Sequence, residues 1–87
     1  MQKEKRVWFI TGTSTGFGRR LVEQLISENE LVVATARNID KISRWKNEPN
    51  VLLEKVDVTV PTQIKNAVQA AIDRWKRIDI LVNNAGW

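Results

Sequence analysis

Short apolar runs alternate along this chain with segments in which apolar residues recur at the spacing of a helix. The runs are VWFIT at 7–11, LVVATA at 31–36, VLLEKVDV at 51–58 and IDILVNN at 78–84. A run that is apolar at successive positions is typical of a strand covered on both faces, as in a parallel sheet. Strands that alternate with helices are joined by crossovers, so the sequence predicts an α/β fold: a Rossmann-like parallel sheet of about four strands with three helices.

The first predicted helix follows a cluster of glycines, and the second is short. Apolar residues at helical spacing predict one buried stripe on the first helix: Phe17, Leu21, Val22, Leu25 and Ile26. The second helix lies within NIDKISRWKNEP, residues 38–49. It is expected to end before Pro49, because the residue preceding a proline disfavours the helical conformation.

The third helix is predicted to begin near Pro61, since proline is well tolerated in a first helical turn. Its apolar residues follow a helical period: Ile64, Ala67, Val68, Ala71, Ile72 and Trp75. We expect Thr59 to cap its N-terminus, because Val60 has no side chain that could do so. Lys76 follows the helix at a position that favours glycine, so a left-handed residue there is expected to cost about 1 kcal/mol.

The composition excludes several kinds of chemistry, because the chain contains no Cys, His or Tyr. Disulfides, thiolate or imidazole zinc sites and Ser-His-Asp triads are therefore excluded. The net charge of +4 is spread along the chain without a dense basic patch, so nucleic-acid binding is not expected. No apolar run approaches the roughly 20 residues that cross a bilayer, and we expect a cytoplasmic protein without a membrane contact.

Three glycines stand at the junction of the first strand and the first helix, in FITGTSTGFGRRL, residues 9–21. A helix N-terminus offers unpaired N–H groups and a positive dipole end to a phosphate. Gly12 would permit a tight turn, Gly16 the close approach of a pyrophosphate, and Gly18 the packing of helix against strand. The alternative is a loop that needs only flexible backbone geometry. A phosphate loop of the ATPase kind is excluded, because no Gly-Lys-Ser/Thr follows.

Three short motifs occur in order along the chain: Thr11-Gly12-x-x-x-Gly16-x-Gly18, then DVT at 57–59, and NNAG at 83–86. Together they resemble the cofactor-binding portion of the classical short-chain dehydrogenase/reductase family, from about Arg6 onward. The resemblance implies that residues 1–87 form part of an NAD(P)-binding Rossmann domain, truncated after the fourth strand.

The resemblance also implies which residues bind the dinucleotide. These are Gly12, Thr13, Ser14, Gly16, Phe17, Gly18, Arg37, Asp57, Val58, Asn83, Ala85 and Gly86. The backbone and side chains of Thr13 and Ser14 would line the adenosine diphosphate. Asp57 would accept a hydrogen bond from the adenine amino group, with Val58 flanking the ring. The motif at 83–86 would border the ribose, tied to the first strand by Thr11.

These roles compete with simpler ones. A carboxylate at a strand end, such as Asp57, can be merely solvated. Asparagines such as Asn83 and Asn84 support turns without any ligand.

The end of the second strand bears on the choice of cofactor. An NAD site commonly has a carboxylate there to hold the ribose hydroxyls, whereas this chain has Ala36 followed by Arg37. An arginine can pair with a 2′-phosphate through two parallel hydrogen bonds, so we expect NADP(H) rather than NAD(H). Thr15 departs from the pattern, because many NADP-preferring relatives have a basic residue there. The alternative for Arg37 is an exposed charge without a ligand.

The resemblance implies an oxidoreductase that interconverts a carbonyl and an alcohol on a small-molecule substrate. The family's serine and Tyr-x-x-x-Lys follow NNAG at a distance, so no catalytic residue is assigned and the 87-residue chain is expected to be inactive alone. A fourth strand with an uncovered edge could associate, and a homo-oligomer is possible. The alternative is a non-enzymatic nucleotide-binding or interaction module.

Overall fold

The structure is a computed structural model that describes residues 5–84. Seven elements follow one another: β1 Val7–Ile10, α1 Gly16–Ser27, β2 Leu31–Ala36, a 3₁₀ helix Ile39–Trp45, β3 Val51–Lys55, α2 Pro61–Trp75 and β4 Ile80–Val82. All pairings in the sheet are parallel, and the strand order is β3-β2-β1-β4. The predicted α/β class and Rossmann-like parallel sheet are confirmed.

The parallel pairing brings the loops that matter to one edge. β1 lies between β2 and β4, with Val7 opposite Leu31 and Trp8 opposite Ile80. Because all four strands run the same way, the segments that follow them meet at the carboxyl edge of the sheet. The glycine loop, Arg37, the DVT motif and the asparagines all follow strands, and this edge therefore holds the candidate site.

The sheet is covered on both faces. On one face, α1 and the 3₁₀ helix pack on alternate strand residues in a cluster formed by Ile10, Val22, Leu25, Val32, Ala34, Ala36, Ile42, Trp45 and Val51. On the other face, α2 packs in a second cluster formed by Val7, Phe9, Val33, Val56, Ala67 and Ala71. This explains why the strand sequences are apolar at successive positions rather than at alternate ones. No helix in the described part is long and apolar enough to cross a membrane.

The predicted buried faces of α1 and α2 each include one residue that is exposed in the structure. Phe17 was expected on the buried stripe of α1, but its side chain is 57% exposed because it lies in the first turn, beyond the sheet edge. Val68 was expected on the buried face of α2 and is 37% exposed. The remaining stripe residues of both helices are buried or pack against the two clusters, except Ile72 of α2, which is half-buried and belongs to neither cluster.

The segment between β3 and α2 also differs from the prediction. β3 ends at Lys55 rather than Val58, because the Val60 N–H donates to the Asp57 carbonyl and turns the chain. Thr59 was expected to cap α2 and does not: Val60 is the N-cap residue, without a side-chain hydrogen bond. Lys76 has φ 68°, in the left-handed region, as the sequence predicted.

Candidate functional site

A groove of ≈ 580 Å³ runs along the carboxyl edge of the sheet. The residues that line it come from the segments after all four strands: Gly12, Ser14, Thr15, Arg37, Asn38, Lys41, Val56, Asp57, Val58, Thr59 and Asn84. The structure thus brings together five of the residues predicted from the sequence, namely Gly12, Ser14, Arg37, Asp57 and Val58. Ala85 and Gly86 lie outside the described residues.

Glycine is needed at two turns of the loop after β1 because of its backbone conformation. Gly12 has φ 67° and Gly16 has φ 60°, both in the left-handed region that other residues rarely adopt. A Cβ built on Gly16 would meet no atom within 4 Å, so conformation alone requires glycine there. The open space in front of Gly16 leaves its backbone accessible at the start of α1.

The N-terminus of α1 presents unsatisfied donors. Its N-cap residue, Thr15, makes no side-chain capping hydrogen bond. The N–H groups of Gly16, Phe17 and Gly18 have no hydrogen-bond acceptor among residues 5–84. Three amides and the positive end of the helix dipole together favour a bound anion.

Gly18 is required for a different reason, which is close packing. A Cβ on Gly18 would overlap the carbonyl oxygen of Gly12 and lie 2.8 Å from Nδ2 of Asn84. The start of α1 therefore rests directly against the loops that follow β1 and β4. This agrees with the packing role predicted for this glycine.

Asn84 and Thr11 join the two central strands at the groove. The Asn84 N–H donates to Oγ1 of Thr11 at 2.9 Å, and Nδ2 of Asn84 donates to the carbonyl of Gly12 at 3.0 Å. The Thr11 hydroxyl also lies 3.4 Å from Oδ1 of Asn83. The predicted link from Thr11 to the asparagine motif is therefore present, and Asn84 rather than Asn83 lines the groove.

The prediction that the side chain of Thr13 lines the nucleotide is wrong. Thr13 is fully buried, and both its N–H and its hydroxyl donate to the Thr35 carbonyl at 3.0 Å. The hydroxyl of Thr35 donates in turn to the carbonyl of Ile10 at 3.0 Å. Thr13 thus anchors the glycine loop to β2, and the adjacent Ser14 lines the groove.

The turn after β3 holds an ionised carboxylate at the groove. Oδ1 of Asp57 accepts from the Thr59 hydroxyl at 2.6 Å and from the Thr59 N–H at 2.9 Å. These two hydrogen bonds, with the positive charges of Arg37 and Lys55, lower the pKa of Asp57 below its ordinary value. Within the described chain, neither Oδ2 of Asp57 nor the N–H of Val58 has a hydrogen-bond partner.

Two cations also line the groove. Arg37 follows β2 directly and is exposed, and Lys41 projects from the 3₁₀ helix. Neither forms an ion pair with another residue of the part described. The sequence reasoning missed Lys41, which faces the groove because of where the 3₁₀ helix packs.

The remaining lining residues were also missed. Asn38, besides facing the groove, accepts a hydrogen bond from the Asp40 N–H at 3.1 Å and so caps the 3₁₀ helix. Thr59 lies in the groove because it bonds to Asp57 rather than capping α2. Thr15 and Val56 complete the lining. The family resemblance had singled out position 15 as one where NADP-preferring relatives have a basic residue, whereas Val56 carried no sequence signal.

The arrangement suits the binding of an extended anion that carries a base at one end. Its wall carries an acceptor beside a donor at Asp57 and Val58 and two cations, and its lining residue Thr15 leads directly into the N-terminal amides of α1. Gly16, Phe17 and Gly18 themselves are not among the lining residues. Residues 5–84 contain no cluster of His, Cys, Asp or Glu that could hold a metal ion.

Comparison with known proteins identifies the family of the chain. The sequence model of the family described as short chain dehydrogenase matches residues 6–87. Oxidoreductase BOA17 of Botryotinia fuckeliana is 34% identical over 85 residues, which cover 94% of this chain and 31% of that protein. The NADP-dependent 3-hydroxy acid dehydrogenase YdfG of Salmonella typhi is 33% identical over 79 residues, covering 88% of this chain and 32% of the relative.

A solved structure agrees with the fold. The 3-ketoacyl-(acyl-carrier-protein) reductase from Brucella melitensis, complexed with NADH, superposes with a TM-score of 0.87 at 30% identity, over 95% of this chain and 35% of that one. The chain thus spans about a third of the length of the relatives it matches. Because the family match extends over nearly the whole sequence, the chain belongs to the short-chain dehydrogenase family.

Proposed function

We propose that this chain forms the adenosine-binding part of an NADP(H)-dependent oxidoreductase that interconverts a carbonyl and an alcohol. The observation that carries the proposal is a groove lined by Thr15, the N-cap residue of α1, and by two cations, Arg37 and Lys41, that form no ion pair among the residues described. The N–H groups of Gly16, Phe17 and Gly18 follow Thr15 directly. YdfG, a relative, is described as NADP-dependent, whereas the Brucella melitensis reductase was solved with NADH. The choice between the two cofactors therefore depends on the residues of this groove.

The pyrophosphate of the dinucleotide would bind at the start of α1. The amides of Gly16, Phe17 and Gly18 have no partner among the residues described, and Gly16 leaves open space before them. A charged phosphate that accepts such N–H groups gains both hydrogen bonds and the dipole interaction. Phe17 would contribute its backbone, since its side chain is exposed to solvent.

The adenine would bind between the turn after β3 and the mouth of the groove. Its amino group is a hydrogen-bond donor, and the neighbouring ring nitrogen is an acceptor. Oδ2 of Asp57 and the N–H of Val58 offer the complementary acceptor and donor side by side. The lowered pKa of Asp57 keeps the carboxylate ionised at neutral pH, so it can only accept.

The 2′-phosphate of NADP(H) would lie against Arg37 and Lys41. No carboxylate stands at the end of β2 to repel it, because the strand ends at Ala36 and the next residue is Arg37. The guanidinium supplies paired donors, and the ammonium of Lys41 adds a second positive charge. Lys41 thus provides the second cation that Thr15 does not supply.

The proton donor for the reaction would come from outside this sequence. Protonating the alkoxide that hydride transfer creates requires a suitable acid, and the chain holds neither Tyr nor His. We expect the 87 residues alone to bind the dinucleotide without turning over a carbonyl substrate.

Calorimetric titration with 2′,5′-ADP and with 5′-AMP tests the proposal. Arg37→Ala should weaken binding of 2′,5′-ADP by about 1.5 to 3 kcal/mol, the range for hydrogen bonds to charged groups, and leave 5′-AMP nearly unchanged. Lys41→Ala should have the same selectivity and a smaller effect. Lys65→Ala, which removes an exposed cation of α2 outside the groove, is the matched control.

Two results would contradict the proposal. Equal affinities of the parent chain for the two nucleotides would exclude an NADP(H) preference. Absence of binding to either would exclude the groove as a nucleotide site.

A further inference from the structure

We infer that Gln63 of α2 is a positioning residue that orients the Asp57–Val58 turn and thereby sets the preference of the groove for adenine over other purines. The inference rests on the proposed function and goes beyond it. It assigns a role in base selectivity to a side chain that does not line the groove.

The contact that carries the inference is short. The N–H of Asp57 donates to Oε1 of Gln63 at 2.7 Å. Gln63 is half-buried in the first turn of α2, two residues after Pro61. It is a side chain of the helix that reaches back to the backbone of the residue at the groove.

The geometry differs from the usual pairing at a helix start. A glutamine at the third helical position commonly accepts the N–H of the N-cap residue. Here the N-cap N–H, that of Val60, donates instead to the carbonyl of Asp57 at 2.8 Å. Gln63 is thereby left to accept the N–H of Asp57, three residues further back.

Asp57 is consequently held through three different groups. Its carboxylate accepts from Thr59, its carbonyl accepts from Val60, and its N–H donates to Gln63. Thr59 belongs to the turn itself, and Val60 is the N-cap residue of α2, whose carbonyl accepts the N–H groups of Gln63 and Ile64. The Gln63 side chain adds a bond from the helix to Asp57 itself, and α2 packs on the sheet through Ala67 and Ala71.

Orientation matters because purines differ in their hydrogen-bonding edge. Adenine has a donor beside an acceptor, which matches Oδ2 of Asp57 and the N–H of Val58. Hypoxanthine has an acceptor beside a donor and mismatches both groups. A turn free to rotate would lose this discrimination, since unpaired or misaligned polar groups no longer penalise the wrong base.

The experiment measures the ratio of affinities for 5′-AMP and 5′-IMP in the parent chain and in Gln63→Ala. We expect the parent to prefer 5′-AMP and the variant to lose about three- to ten-fold of that preference, a range typical of one misaligned hydrogen bond. The ratio of affinities for 2′,5′-ADP and 5′-AMP should stay constant, because the cations of the groove are not moved.

Two further variants separate positioning from stability. Gln63→Glu keeps an oxygen acceptor at the same reach and should restore most of the preference for 5′-AMP. Gln69→Ala removes an exposed glutamine of the same helix, which bonds only to Asp73 within the described part, and should leave the ratio unchanged. Thermal unfolding of each variant shows whether the fold is kept.

The outcomes distinguish the inference from the proposed function. If Gln63→Ala weakens the binding of 5′-AMP and of 5′-IMP by the same factor, Gln63 has no positioning role. The same conclusion follows if Gln63→Glu does not restore the preference for 5′-AMP. If the parent chain binds none of the nucleotides, the proposed function fails and the inference falls with it.

Discussion

Charged side chains have different surroundings at the two edges of the sheet: those at the amino edge contact one another, and those at the carboxyl edge face the groove. At the amino edge, Glu30 is 3% exposed and accepts hydrogen bonds from the N–H and guanidinium of Arg6 and from the indole of Trp8. Asp79 accepts from the Val7 N–H at 2.7 Å and pairs with Arg77 at 2.8 Å. At the carboxyl edge, Arg37 and Lys41 face the groove without an ion pair inside the described part.

The contrast separates polar groups that hold the fold from those available to a ligand. Buried polar atoms normally have partners, and within the described part the structure leaves no buried side-chain donor or acceptor unpaired. Glu30 and Asp79 join the starts of the strands to one another. The groups around the groove are exposed and converge on one space, which is the pattern expected of a binding site.

The largest expected effect is at Gly18, where the carboxyl edge is itself close-packed. Gly18→Ala places a Cβ against the Gly12 carbonyl, so it should lower the free energy of unfolding by about 3 kcal/mol. The Cβ that Gly16→Ala adds would meet no atom within 4 Å. This substitution should lower the free energy of unfolding only by the strain of the positive φ, about 1 to 2 kcal/mol. Urea denaturation of both variants checks this order, and equal losses would show that packing at Gly18 is not the determining factor.

The next effect concerns the amino edge. Glu30→Gln keeps the shape of the side chain but removes the charge that Arg6 and Trp8 stabilise, and should lower the free energy of unfolding by about 2 kcal/mol. The affinity for 2′,5′-ADP, measured under conditions where the variant is folded, should not change. A loss of nucleotide affinity in a variant that remains folded would contradict the conclusion that the amino edge stabilises the fold and takes no part in binding.

The smallest effect is the pH dependence that follows from the same carboxylate. Burial acts to raise the pKa of Glu30, but hydrogen bonds from the Arg6 N–H, the Arg6 guanidinium and the Trp8 indole outweigh it and hold the pKa below its ordinary value. This contribution to stability is present above the pKa of the unfolded chain and is lost as the pH falls through the folded one. Denaturation between pH 7 and pH 3 should show a shallower decline in Glu30→Gln than in the parent.

Much of the fold could be predicted because it depends on local patterns. β2 was predicted at its observed bounds, since Leu31–Ala36 is apolar except for Thr35 and lies between polar residues. Gly12 was predicted at a tight turn, and its φ of 67° is one that few other residues adopt. The family match followed from motifs whose spacing is read directly along the chain.

What could not be predicted depends on contacts between distant segments. Thr13 is buried because the Thr35 carbonyl of the neighbouring strand accepts its hydroxyl, 22 positions away. Phe17 fits the period of α1 but lies beyond the end of the sheet, so periodicity alone places it wrongly. Lys41 and Gln63 acquire their positions from where the 3₁₀ helix and α2 pack, which no local pattern specifies.

The pairing of β4 with β1 joins residues as far apart as Trp8 and Ile80. Closing so long a stretch of chain is entropically expensive, and the bonds from Asn84 to Thr11 and Gly12 exist only while β4 is docked. Asn84, which follows β4, therefore completes the lining of the groove. A dinucleotide that touches both loops would hold β4 in place, and amide hydrogen exchange in β4 would slow in proportion to occupancy.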